Sequence, residues 1–208
     1  MLLTYYIFKI KYMYIVSEVL CIMRIISGSA RGTKLYTLDG MNTRPTLDRV
    51  KEPLFNILNF DLENAVVLDL FAGSGALGLE AISRGAKKAI FCEKNRNAIE
   101  IIEKNIEKTR FTNKSLLIKN DFEKGLTYIN NQNIKVDIVF IDPPYKTDLA
   151  KKSVEKILDI DILNDNFIMV IETDEPERIL NDIEDMNITV YDKRKYGRVS
   201  IIFLSKKI

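Results

Sequence analysis

The chain has 208 residues, 47% of them hydrophobic and 29% charged, and a formal net charge of +2. These values are typical of one globular domain with a small appendage, exclude disordered and fibrous proteins, and give no global sign of a nucleic-acid partner. Because the sequence has no histidine and only the cysteines Cys21 and Cys92, histidine-based triads and zinc hydrolases are excluded, and we expect a reducing cytoplasm, no disulfide framework and no metal.

Residues 1–22 form an apolar extension rich in tyrosine and isoleucine. Lys9, Lys11 and Glu18 interrupt it, no charged segment precedes it and no small-residue cleavage site follows it. We therefore expect neither a signal peptide nor a membrane anchor. The extension is predicted to be disordered or loosely docked, or not native, with Met23 as the alternative start.

Residues 23–60 are predicted to form a small basic appendage. Two short β-type runs, 24–27 and 34–37, flank a glycine-bearing segment and predict a hairpin. Between Met23 and Glu52, six basic residues face three acidic ones, which favours phosphate binding, although a solvated charged face is the alternative. The basic residues are Arg24, Arg31, Lys34, Arg44, Arg49 and Lys51.

A helix is predicted near the end of this appendage. Thr46 can cap a helix, and Asp48 would lie in its first turn. Pro53 would remove one backbone hydrogen bond from a continuous helix. We therefore predict a short turn over residues 48–51 and a helix that begins or bends at Pro53 and ends near Leu58.

Residues 61–208 are predicted to form the main domain, which opens with a strand over 66–70 and a helix over 76–84. Between them lies a glycine-bearing turn at 71–75. Gly73, Gly75 and Gly78 match the G-x-G-x-x-G pattern directly after a strand and at the start of a helix. That context is typical of a nucleotide-binding α/β fold.

The pattern then repeats. A strand over 88–92 ends at Glu93, a helix follows over 95–110, and a third strand over 115–119 ends at Asn120, Asp121 and Phe122. Glu93 lies near the spacing at which an acid binds a ribose diol. Alternating strands and helices with polar residues at each strand end predict one ligand crevice along the carboxyl edge of a parallel sheet.

The residue before the glycine turn bears on the choice of nucleotide. Asp69 would repel a pyrophosphate at this position but would suit a cationic ligand. S-adenosylmethionine carries a sulfonium and an ammonium and no phosphate. We therefore favour S-adenosylmethionine over NAD.

Residues 136–145, with the sequence VDIVFIDPPY, are predicted to carry the chemistry. An apolar strand stops at Asp142, and the two prolines that follow fix the backbone direction and donate no amide hydrogens. Carboxylate and carbonyl acceptors beside the ring of Tyr145 suit a planar group with an amine, such as a nucleobase. The alternative is an ordinary strand and turn with a surface tyrosine.

The remaining chain predicts two helices and three strands. The helices cover 149–158 and 175–183, and the strands cover 166–171, 188–193 and 199–204. The last two strands form a hairpin around residues 195–198, which adds an antiparallel strand to the sheet.

In these motifs the sequence resembles the class I, Rossmann-like methyltransferases, and more closely the bacterial 16S ribosomal RNA guanine-N(2) methyltransferases of the RsmD type. The resemblance extends from residue 23 to residue 208. Its marks are SGSARG, TRPTLDRVKE, LDLFAGSGALGLEAISRGA, Glu93, the Asn120–Asp121 pair, IDPPY, Glu172 and KYG. It implies a mostly parallel seven-stranded sheet with an antiparallel strand near the carboxyl terminus.

The resemblance also implies roles for matching residues. The methionine end of the cofactor would contact Asp69, Phe71, Ala72, Gly73, Ser74 and Gly75, the ribose would contact Glu93, and the adenine would contact Asp121 and Phe122. Asp142 and the Pro143 carbonyl would accept from the target amine, and Pro144 and Tyr145 would complete the catalytic segment, with Tyr145 stacking on the base. Arg44 and Thr46 would lie over the cofactor and the RNA entrance. Pro53 and the extension depart from the family pattern.

The resemblance implies methylation of a guanine amine in 16S rRNA, either free or in the assembling small subunit. We expect a cytoplasmic protein without a membrane role, and a monomer, because no long apolar stripe is left over after the core is assigned. The RNA phosphates would then be bound by Arg24, Arg31, Lys34, Arg44 and Arg49. Two alternatives stay open. One is a DNA adenine amino-methyltransferase, and the other is a non-catalytic RNA-binding protein with the same fold.

Overall fold

The computed structural model describes residues 23–38, 46–144 and 147–207, although it does not describe the side chains of residues 46–49. The predictions for the extension 1–22, for Arg44 and for Tyr145 lie outside the described residues. Within the described part of the chain, no helix is long and apolar enough to cross a membrane.

Seven strands form a single sheet in the order β3-β2-β1-β4-β5-β7-β6. Neighbouring strands from β3 to β5 are parallel, and β7 alone runs in the opposite direction. This confirms the predicted Rossmann-like sheet with an antiparallel strand near its end. The strands are β1 Val66–Asp69, β2 Lys88–Cys92, β3 Ser115–Ile118, β4 Val136–Ile141, β5 Leu163–Thr173, β6 Ile188–Tyr196 and β7 Val199–Lys206.

Helices connect the parallel strands and cover both faces of the sheet, which is why the strands are almost continuously apolar. Leu68 and Val139 lie in one buried cluster, and Val67 and Phe140 lie in the cluster on the opposite face. The α-helices of the described chain are α1 Thr46–Ile57, α2 Ala76–Ser83, α3 Arg96–Thr109, α4 Phe122–Asn131, α5 Leu149–Leu158 and α6 Pro176–Ile183.

Helix α4 was not predicted from the sequence. Its amino terminus is capped by the Asp121 carboxylate, which accepts from the backbone amide of Lys124 at 2.9 Å. Phe122, Leu126 and Ile129 are buried, as expected for one face of an amphipathic helix. The polar residues before it therefore lie at a helix start as well as at a strand end.

Helix α1 corrects another prediction. It runs without interruption from Thr46 to Ile57 with Pro53 inside it, so the predicted turn over residues 48–51 is wrong. Pro53 removes one hydrogen bond. Val50, Leu54 and Phe55 are buried in the cluster on one face of the sheet, and this packing outweighs that local loss.

The amino-terminal segment, residues 23–38, is called the arm below. Its predicted hairpin is present as one antiparallel bridge between Arg24 and Lys34, which is too short to form two strands. Ile25 and Leu35 are buried in a cluster with Leu79 of α2. The arm therefore packs onto the helix that follows the glycine turn.

Candidate active site

A cavity of about 890 Å³ lies at the carboxyl edge of the sheet, next to the ends of β1, β2, β4 and β5. This is the edge at which parallel α/β folds bind ligands. Its wall includes most of the residues predicted for the cofactor and catalytic sites. These are Asp69, Phe71, Ala72, Gly73, Ser74, Glu93, Asp121, Phe122, Asp142, Pro143 and Pro144.

Other predicted residues are placed differently. Gly75 forms the glycine turn but does not line the cavity. Thr46 begins α1 and Arg49 lies within it, but their side chains are outside the described ones. The wall also includes residues that the sequence did not single out for the site, among them Thr37 and Leu38 of the arm.

The glycine turn brings α2 close to the sheet. Gly75 has a φ of 78°, which favours glycine. A Cβ at Gly78 would lie 2.4 Å from the ring of Phe91 on β2, so only glycine fits there without movement. The Gly78 amide donates to the Asp69 carboxylate at 3.1 Å, which ties the end of β1 to the first turn of α2.

Asp69 is almost completely buried beneath this turn. Its burial raises the pKa of Asp69 to about 7, the hydrogen bond from Gly78 opposes that shift, and the nearby charge of Glu93 adds to it. A buried carboxylate of this kind is stabilised by a cation. The position thus suits a positively charged ligand group.

The Glu93 carboxylate links the end of β2 to the glycine turn that follows β1. One carboxylate oxygen accepts from the amides of Lys94 and Asn95 at 2.9 and 2.8 Å. The other accepts from the amide of Gly73 at 2.9 Å. The carboxylate is therefore fixed at the end of β2 and faces the cavity that it lines.

An aromatic pair lies further along the same edge. The rings of Phe71 and Phe122 are 5.7 Å apart, and both residues line the cavity beside Asp121. An apolar wall next to hydrogen-bonding groups is typical of sites for a flat heterocycle such as adenine.

The charge of the cavity wall tests the fit of the cofactor. Six acidic residues and one basic residue, Lys94, line it among the described residues. This wall would repel a pyrophosphate and suits a ligand with cationic groups, so the residues present fit S-adenosylmethionine and not a dinucleotide. The acidic residues are Asp69, Glu93, Asp121, Glu123, Asp142 and Glu172.

The catalytic candidates Asp142, Pro143 and Pro144 directly follow β4. The Thr147 hydroxyl donates to the Pro144 carbonyl at 2.7 Å. The guanidinium of Arg178 on α6 donates to the Thr147 carbonyl at 2.7 Å and to the Asp148 carboxylate at 3.0 Å. The chain that follows these candidates is thus anchored to α6.

Two buried polar residues join the arm to α2, α3 and the glycine turn, and neither was predicted. The Glu80 carboxylate accepts from the amides of Ile26 and Ser27 at 2.8 and 3.0 Å. The Asn105 amide accepts from the Tyr36 amide at 2.7 Å and donates to the carbonyls of Tyr36 and Ser74 at 3.0 and 2.9 Å. A polar residue on the buried face of a predicted helix was the available sequence signal for both.

The described basic residues of the amino-terminal appendage divide into two groups. Arg24, Arg31 and Lys34 are exposed, as phosphate contacts require. Lys51 is only 2% exposed, and its ammonium binds the Glu80 carboxylate and donates to the Arg24 carbonyl. Lys51 therefore holds the arm in place and does not belong to the basic surface expected from the sequence.

Known proteins match nearly the whole chain. The family described as Conserved hypothetical protein 95 covers residues 23–205. A Bacillus subtilis protein provisionally named as the rRNA methyltransferase YlbH is 34% identical over 89% of this chain and 100% of its own length. The ribosomal RNA small subunit methyltransferase D of Haemophilus influenzae is 34% identical over 86% of this chain and 91% of its own length.

A solved structure has a similar fold. It comes from Escherichia coli, is provisionally named as the methyltransferase yhhF and superposes with a TM-score of 0.73 at 29% identity. The match covers 89% of this chain and 98% of that one.

Proposed function

Because the chain belongs to the Conserved hypothetical protein 95 family, we propose that it methylates the exocyclic amine of a guanine in the 16S rRNA of the small ribosomal subunit. It is an S-adenosylmethionine-dependent methyltransferase. The observation that carries the proposal is the acid-lined cavity with Asp142 and Pro143 on its wall and the arm beside it.

The cofactor-binding residues follow the carboxyl edge of the sheet. Asp69 and the turn from Phe71 to Gly75 would hold the methionine end, with the ionised Asp69 opposite the ammonium. Glu93 would accept from the ribose hydroxyls, since its carboxylate is already oriented by three backbone amides. Asp121 and Phe122 would contact the adenine. Bound S-adenosylmethionine supplies a methyl group made electrophilic by the positive sulfonium.

The catalytic residues would orient the target amine. The lone pair of an exocyclic guanine amine is delocalised into the ring, so the amine is a poor nucleophile. Acceptors at the Asp142 carboxylate and the Pro143 carbonyl would hold its two hydrogens, direct its lone pair and stabilise the positive charge that develops on nitrogen. The proton then leaves to Asp142 or to water. This chemistry needs no histidine, and the chain has none.

A guanine can reach this cavity only when it is out of its stack, and we assign the stacking contact in the site to Tyr145. The RNA phosphates need a surface away from the acidic wall. We assign that surface to Arg24, Arg31 and Lys34 of the arm, together with Arg44 and Arg49. Residues 23–60 would then be the RNA-binding appendage and residues 61–208 the methyltransferase domain.

We also propose that the protein acts in the cytoplasm as a monomer on free rRNA or on the assembling small subunit. Sedimentation at working concentrations, with and without the cofactor, tests the monomer. A stable dimer would contradict it.

The enzymatic proposal is tested with tritiated S-adenosylmethionine. The acceptors are small subunits and naked 16S rRNA from a strain that lacks the gene, with DNA as a parallel acceptor. We expect label in N(2)-methylguanosine after digestion to nucleosides. Label only in DNA adenine would support the DNA methyltransferase alternative, and transfer to no acceptor despite cofactor binding would support the non-catalytic RNA-binding alternative.

A further inference from the structure

The hairpin that joins β6 to β7 lies at the same edge of the sheet as the cavity. Thr173, the last residue of β5, pairs with Ser200 near the start of β7, and Tyr196 at the end of β6 pairs with Val199. Glu172, one residue before Thr173, lines the cavity. The reversed direction of β7 therefore places the hairpin tip, residues 195–198, beside the candidate active site.

The tip carries positive charges that no described acidic residue pairs with. Lys195 and Arg198 are exposed, and neither makes an ion pair with another described residue. The two basic residues just before the tip, in contrast, form ion pairs. Lys193 pairs with Glu177 at 3.0 Å, and Arg194 pairs with Asp192 at 3.0 Å. Of these four basic residues, the two without an ion pair to a described residue are therefore the ones at the end nearest the cavity.

The tip and the arm lie on opposite sides of the cavity. The arm packs with residues of β2, α2 and α3, whereas the tip lies beside the end of β5 and the start of β7, on the other side of β4 in the sheet. Strand β4 leads to Asp142, and it is separated from β7 by two strand spacings, roughly 10 Å. A strand of RNA that enters over the arm would therefore leave over the tip.

We propose that Lys195 and Arg198 form a second phosphate-binding surface, which holds the RNA strand on the side of the target guanine away from the arm. This inference rests on the proposed function, because it assumes a single-stranded or looped RNA at the cavity. The acidic wall repels phosphate, so the backbone on each side of a guanine in the cavity needs basic residues outside that wall. The arm supplies them on one side and the tip on the other.

The test compares two double variants that each lose two positive charges. Lys195→Ala with Arg198→Ala removes the tip charges, and Lys193→Ala with Arg194→Ala is the matched control from the same strand. RNA affinity is measured by filter binding with a 16S fragment at several salt concentrations, and calorimetry measures S-adenosylmethionine affinity.

We expect the tip variant to bind RNA at least tenfold more weakly than the control. The slope of log affinity against log salt should fall by about 1.4, the value for two lost phosphate contacts on a single strand. The KM for RNA should rise while kcat at saturating RNA and cofactor affinity stay within twofold. Lys195→Arg with Arg198→Lys should restore binding.

Equal RNA affinity of the tip and control variants would overturn the inference, and filter binding shows this whether or not methyl transfer occurs. Loss of cofactor binding in the tip variant would also overturn it, since the residues would then support the fold. Failure of the wild-type protein to label guanine would overturn the proposed function instead, and the two failures are therefore distinguishable.

Discussion

The ammonium of Lys51 lies 3.2 Å from the carboxylate of Glu80, and both side chains are buried. The pair joins α1 to α2, and the same carboxylate binds the amides of Ile26 and Ser27 and the guanidinium of Arg84. A buried charge is tolerated only when its partners are in place. This carboxylate therefore fixes the part of the arm around Ile26 and Ser27.

We expect Glu80→Ala to lower the free energy of unfolding by about 3 kcal/mol, because it leaves Lys51 buried without its carboxylate. Urea unfolding followed by circular dichroism measures the change. Glu103→Ala is the control, since Glu103 pairs with Lys119 on the surface and its loss should cost less than about 1 kcal/mol. Equal losses in the two variants would contradict this account of the arm.

The raised pKa of Asp69, about 7, predicts that cofactor affinity depends on pH. The ionised carboxylate is the form that would pair with an ammonium, so affinity should increase as the pH rises from about 6 to about 7.5. Calorimetry at several pH values tests this. Asp69→Asn should bind weakly and show little of the pH dependence, whereas a pH dependence equal to that of the wild type would assign the titration to another group.

The same shift has the opposite effect on the stability of the protein without cofactor. The pKa of Asp69 is higher in the folded state than its usual value of 3.8, so the folded state binds the proton more tightly. The resulting stability is fully present below about pH 4 and is lost as the pH rises through about 7. Urea unfolding of the wild type should therefore show a decrease over this range that is absent in Asp69→Asn.

We expect Asp142→Ala to abolish methyl transfer while S-adenosylmethionine affinity stays within a few fold. The carboxylate is assigned to the target amine and not to the cofactor. Single-turnover methyl transfer and calorimetry on the same preparation measure the two effects. A parallel loss of cofactor affinity would move Asp142 from catalysis to cofactor binding.

Arg178 is expected to position the catalytic segment. Arg178→Ala removes the hydrogen bonds to the Thr147 carbonyl and the Asp148 carboxylate, and the resulting displacement of the segment should lower kcat by up to about 100-fold. The KM for S-adenosylmethionine should stay nearly constant. Lys151→Ala is the control, because Lys151 also pairs with Asp182 but makes no hydrogen bond or ion pair with the described residues of the segment. An equal effect on kcat would contradict the positioning role.

The elements that the sequence predicts well are those encoded locally. The glycine turn after β1 and the strand before Asp142 combine apolar runs with residues that fix the backbone, and both appear as predicted. Helix α4 was missed because its start coincides with polar residues that were assigned only to a strand end. In α1, the helix continues through Pro53 because burial of the surrounding apolar residues outweighs the one backbone hydrogen bond that the proline removes.

The contacts of Glu80 and Asn105 could not be predicted in this way. Their partners in the arm lie 53 to 69 residues away along the chain, so only the folded structure brings them together. The same holds for Arg178, whose contact with Thr147 spans 31 residues. The local pattern identifies residues that line the cavity, whereas those that hold them in position emerge from tertiary packing.

The Asn105 side chain couples the arm to the glycine turn. One buried amide group binds both Tyr36 of the arm and Ser74 of the glycine turn. A cofactor that stabilises the turn would therefore also favour the docked position of the arm, and RNA bound to the arm would favour the same turn conformation by the same free energy. The two substrates should accordingly bind with positive cooperativity, and the demethylated cofactor product should retain RNA longer than the empty enzyme does.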